Sequence, residues 1–172
     1  SWTFTTASPA SNQAPLPTVL APAESTTFAV GDVIAFSGSA TDAEDGTVPP
    51  GSLRWTVSIR HCPGGVCHTH PLVATGGATG TVVAPEHGAD SFLVVTLTAT
   101  DSGGRSASIS RDIRPRVVTV TLHTEPPGLP VIFGETRRLS PATFQAVVGS
   151  HMNVATLSPQ HSLTFTGWAS GR

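Results

Sequence analysis

The sequence predicts an all-β protein, and three observations predict it. Of 172 residues, 17 are glycine and 15 proline, and Thr, Val, Ser and Ala dominate the remainder. That composition favours strands and turns over helices. No window carries a 3.6-residue apolar period, whereas several runs alternate apolar and polar residues. The stretch from Leu53 to Leu72, LRWTVSIRHCPGGVCHTHPL, has hairpin form: an alternating run, a Pro-Gly-Gly turn between two cysteines, and a second run.

The rest of the chain is organised around that hairpin. If Cys62 and Cys67 face each other across the turn, His61 opposes His68, Ile59 opposes His70 and Val57 opposes Leu72. Side chains alternate faces along a strand, so one face carries Trp55, Val57, Ile59, His61, His68, His70 and Leu72. The other carries Arg54, Thr56, Ser58, Arg60, Thr69 and Thr75. An apolar face opposed to a polar one supports this register. Facing hairpin positions meet the spacing of a disulfide, which would contribute about 2 kcal/mol for so short a loop. A Cys62–Cys67 bond implies an extracellular or cell-surface location. The alternative is a reduced pair in a cytosolic protein, free to ligate metal.

Taken in order, residues 1–7 (SWTFTTA) alternate and read as the end strand of a preceding domain. With a strand at the first residue, the chain is expected to be cut from a longer protein. Residues 8–17, with three prolines and no apolar period, read as a linker. From 18 to 115, strands are expected near 18–21, 33–40, 53–61, 68–75, 80–84, 91–100 and 105–114. Turn signals separate them, among them DAEDG at 42–46, PEHGAD at 85–90 and DSGG at 101–104. Short strands at this density predict an immunoglobulin-type β-sandwich. Its core would take Ile34, Phe36, Trp55, Val57, Ile59, Leu93, Val95, Leu97, Ala99, Ile109 and Ile113. Residues 116–172 restart the alternation at VVTVTL and form a second, smaller β-domain. Its turns fall at Pro127-Gly128, Gly134-Glu135 and Gly149-Ser150. This domain is expected to lack a closing strand.

Charge narrows the partners. There is no Lys, charged residues make up 12%, and the net charge is −2. Neither nucleic acid nor an anionic membrane is expected to bind strongly, and no apolar run is long enough to span a bilayer. The chain is expected to be a monomer.

The pattern GDVIAFSGSATDAEDGTVP, followed by LRWTVSIRH and LTATDSGG, resembles PKD-type and related Ig-like domains. The shared positions include Gly31, Asp32, Phe36, Gly38, Asp42, Asp45, Gly46, Trp55, Asp101 and Gly104. The WDFGDG segment usual in PKD domains is absent. The HC…CHTHP…PEHG insert resembles a module appended to secreted bacterial sugar dehydrogenases of the quinoprotein type and to other multidomain exoenzymes. The PPGL…VGS…F.GW segment is similar to the small β-repeat that follows such modules. Residues 1–7 resemble the last strand of a bacterial Ig-like domain. The resemblance implies an accessory, non-catalytic role.

An Ig-type strand order would gather chemistry at two poles. Asp42, Glu44, Asp45 and Asp101 would meet at one, able to hold Ca²⁺ or simply to cap turns. At the other, His61, His68 and His70 would be approached by His87, Glu86 and Asp90. That set suits Zn²⁺ or Cu²⁺, or forms a polar cap bonded to loop carbonyls. His123, His151 and His161 read as surface residues, Arg137-Arg138 as a solvated loop pair, and Trp168 as small-domain core, with a sugar platform as the alternative. No G-x-S-x-G, P-loop, HExxH or dinucleotide motif is present. The expected function is a non-catalytic accessory module that spaces an enzyme domain or attaches it to carbohydrate or a surface. The alternatives are a metal-dependent site at the histidines, with Glu86 as base, and an adhesin or stalk segment.

Overall fold

The computed structural model describes residues 11–160 and 162–169. The expected strand at 1–7 and His161 lie outside the described residues. The fold is all-β, with several sheets and no α-helix among the described residues. A four-stranded sheet contains β1 (Leu16–Ala21), β3 (Val33–Asp42), β4 (Gly46–Thr47) and β7 (Thr79–Val83). A five-stranded sheet has the order β2 (Thr27–Phe28), β9 (Ser106–Pro115), β8 (Ser91–Thr100), β5 (Leu53–His61), β6 (His68–Gly76). All pairings in both sheets are antiparallel except β2 with β9.

The two sheets enclose one core. Val19, Ile34 and Phe36 of the first meet Trp55, Val57, Ile59, Leu93, Val95 and Leu97 of the second. Trp55 is fully buried, its ring 4.9 Å from Phe36 and its Nε1–H donating to the Gly77 carbonyl at 3.0 Å. Gly38 gives it room: a Cβ there would lie 2.6 Å from the Thr18 carbonyl oxygen and 3.0 Å from the Trp55 ring. On the outer face of β8–β9 the hydroxyl pairs Thr96–Ser110, Thr98–Ser108 and Thr100–Ser106 each sit at 2.8 Å, a ladder of cross-strand hydrogen bonds.

Three expectations about this unit need correction. Ile109 is 38% exposed rather than core, because β2 covers β9 only at Arg114 and Pro115 and leaves Ile109 at an open edge. The hairpin register holds from His61–His68 to Ser58–Pro71 and then slips, pairing Val57 with Val73 and Trp55 with Thr75. Leu72 is the extra residue of a β-bulge; it is 36% exposed, and Thr75 turns to the Trp55 side. Pro71 cannot donate to the ladder, and such residues and bulges belong on an edge strand, which β6 is. Finally, the expected linker ends early. Pro15 is fully buried and β1 begins at Leu16.

The second unit follows directly after Pro115. It pairs β10 (Val117–Leu122) with β13 (Ala142–Val147) and sets β11 (Pro130–Phe133) between β12 (Thr136–Leu139) and β14 (Val154–Thr156). Val131, Phe133, Ala142, Phe144 and Ala146 form its own core. Its glycine turns at Gly128, Gly134 and Gly149 all have positive φ. The units are joined by more than the chain. Val147 is buried in the first core, and the Val30 N–H donates to the Val148 carbonyl at 2.9 Å. Arg137 and Arg138 lie on β12 rather than in a loop, with the Arg138 guanidinium 5.1 Å from the centre of the Phe144 ring.

Candidate functional site

The hairpin delivers a cluster of four imidazoles. β5 ends at His61, β6 begins at His68, and Pro63–Gly65 between them makes a tight turn in which Gly64 and Gly65 take positive φ. The Cys62–Cys67 disulfide closes that turn. The loop from β7 into β8 brings His87 to the same end. Ring centres are 5.0 Å apart for His61–His68, 4.8 Å for His68–His70, 5.7 Å for His70–His87 and 4.5 Å for His61–His87, so the four neighbours close into a cycle. Asp90 Oδ1 lies 2.9 Å from His61 Nε2 and orients that ring. Gly88 permits the close passage of the loop, since a Cβ there would lie 2.6 Å from Asp90 Oδ1.

His61 is half-buried, whereas His68 and His70 are exposed. Among the described residues neither exposed ring makes a hydrogen bond, and no imidazole of the four donates to a loop carbonyl. The bonding that a polar cap would use is therefore not what holds the cluster. Nor, among the described residues, are any three His, Cys, Asp or Glu side chains already arranged around a common ion position. Glu86 departs from expectation. It faces the second unit, with Oε2 3.7 Å from His151 Nδ1 and Oε1 accepting the His151 N–H. As the base of a histidine-centred enzyme it is misplaced.

Burial pushes the His87 imidazole below its ordinary pKa, and His61, His70 and His68 add to that shift while Asp90 opposes it. A folded-state pKa lowered below the unfolded value means the unfolded chain takes up the proton first. Stability is then full above about pH 6.5 and declines as pH falls below it. Melting in chelator should show the parent losing Tm between pH 7.5 and pH 5.5, with His87→Gln losing less. Equal losses would remove His87 from the account.

At the opposite pole the 42–46 and 101–104 loops come together, and their carboxylates cap them. Asp42 Oδ1 accepts the N–H groups of Glu44 at 3.0 Å and Asp45 at 2.9 Å. Asp45 accepts the Ser102 N–H and hydroxyl, both at 2.8 Å, and these bonds hold its carboxyl below the usual range. Asp101 accepts the Arg105 N–H at 2.8 Å and the Asn12 amide at 3.0 Å, and Glu44 accepts from the Gln13 N–H at 3.2 Å. Asp42 Oδ2 is buried without a partner among the described residues.

Trp168 is not core: it is 46% exposed and pairs with Phe165 at 5.1 Å between ring centres. The pair lies in a groove of about 450 Å³ whose walls include Leu157, Leu163, His123 and Glu125. The alternation in LTFTGW suggested a strand with one buried face, but residues 162–169 are all exposed and 164–169 belong to no strand.

No protein-family model, curated protein or solved structure matches the chain.

Proposed function

We propose that this chain is a non-catalytic accessory module of a secreted multidomain protein, an Ig-like, PKD-type unit with a small β-domain that attaches its parent to carbohydrate. The observation that carries the reading is the half-exposed Phe165–Trp168 pair in its groove. Aromatic faces next to polar rim groups suit the apolar faces and hydroxyls of a sugar ring. Thr124, Thr164 and Glu125 supply that polar rim. The disulfide supports secretion. No helix among the described residues is long and apolar enough to cross a membrane. Glu86, the base expected for an enzyme at the histidine cluster, faces His151 instead.

The test is a glycan array followed by affinity measurement on insoluble and soluble polysaccharides. At least one glycan class should bind, and Trp168→Ala should weaken that binding by about tenfold or more, equivalent to about 1.4 kcal/mol. Absence of binding, or unchanged binding by Trp168→Ala, would leave a spacer or stalk as the better account.

A further inference from the structure

The attachment reading does not use the imidazole cluster at the turn end of the β5–β6 hairpin. We propose that His61, His68, His70 and His87 together bind one divalent transition-metal ion of the zinc–copper class, with Asp90 positioning the His61 ring.

The spacing suits such an ion. A zinc-bound imidazole nitrogen sits about 2.0–2.1 Å from the metal, so the ring centres of two ligands on one ion lie about 5 Å apart. The four neighbouring ring centres here are separated by 4.5–5.7 Å. The rings meet at interplanar angles from 40° to 86°, and no three donors converge as they stand. Binding therefore requires rotation of the rings about their own side-chain torsions. His68 and His70 are exposed and unbonded among the described residues, so other staggered rotamers are open to them.

The backbone under the rings is fixed. Two histidines stand on a hairpin closed by the Cys62–Cys67 disulfide and a third ends its first strand. The fourth rides a loop tied down by the Cys62 N–H donating to the Asp90 carbonyl at 3.2 Å and by the Ser91 hydroxyl donating to the Gly88 carbonyl at 2.6 Å. A carboxylate on the far nitrogen of a ligand histidine fixes its tautomer and orientation, and Asp90 stands ready in that place on His61. Four nitrogen donors favour the later first-row ions over Ca²⁺ or Mg²⁺, and copper should bind more tightly than zinc.

The experiment uses untagged protein stripped with chelator and titrated calorimetrically with ZnCl₂ and with CuCl₂ at pH 7.5. One ion per chain is expected, with Cu²⁺ the tighter. His70→Ala and His87→Ala should each weaken binding about tenfold or more, and Asp90→Asn about tenfold. Thermal melts in chelator establish that each variant is folded. Electron paramagnetic resonance of the Cu²⁺ complex should show several coordinated imidazole nitrogens, reduced in His70→Ala. No saturable heat from either ion overturns the proposal. So does parent-like affinity in His70→Ala with His87→Ala combined, because the ion would then sit on His123, His151 or another group. Glycan binding by the groove is read separately and leaves either outcome intact.

Discussion

Trp55→Ala should lower the unfolding free energy by about 3–5 kcal/mol, the range for truncating a large buried aromatic. Trp55 is fully buried between the sheets, against Phe36 and over Gly38. The Gly77 carbonyl also loses the indole donor that satisfies it. Trp55→Phe keeps most of the ring volume and should cost distinctly less. Urea unfolding followed by circular dichroism separates the two, whereas fluorescence would not, since the substitution removes a reporter. Equal and small losses would mean that the two sheets do not depend on this ring.

The strands of the first unit were legible because alternation is a local property. Residues 33–40, 53–61 and 91–100 declare their buried faces in sequence, and β3, β5 and β8 cover them. The same parity put His61, His68 and His70 on one face, and the hairpin pairs His61 with His68 and Ile59 with His70. Parity fails where a residue is inserted. Pro71 hints at an irregular edge, but only the pairing of Val57 with Val73 shows that Leu72 is the bulged residue. Ile109 looked like core because its own strand alternates, and it is open because of how little β2 covers.

Other features depended on non-local packing. The PEHGAD loop sends His87 and Asp90 to the cluster and Glu86 to His151, a division set by where the second unit docks. The approach that Gly88 allows, where a Cβ would lie 2.6 Å from Asp90 Oδ1, has no sequence signature beyond the glycine. In the second unit the glycine turns were legible from composition. Exposure of Trp168 was not, because the alternation in LTFTGW suits a core strand, whereas residues 164–169 form no strand and are all exposed.

Asp101→Ala should cost about 2–4 kcal/mol, and the loss should be the same in calcium and in chelator. Asp101 is buried, and its two oxygens hold two different segments: the Arg105 N–H closes the 101–104 turn, and the Asn12 amide ties the residues before β1 to the same pole. Hydrogen bonds to a charged group contribute about 1.5–3 kcal/mol each, and the Arg105 N–H is left without its acceptor. Asp101→Asn keeps one carbonyl oxygen for Arg105 and should recover about half. The absence of a calcium effect follows from the bonding at this pole. Asp42, Asp45 and Asp101 each accept from loop N–H groups, so Ca²⁺ would have to displace caps that the turns need. Asp42 Oδ2 is the one carboxylate oxygen there that is buried and unpartnered among the described residues. If calcium raises the Tm of the parent but not of Asp42→Ala, that oxygen is a cation ligand and the turn account is incomplete. A parent Tm indifferent to calcium, together with a full loss in Asp101→Ala, places this pole among the fold's own scaffolding.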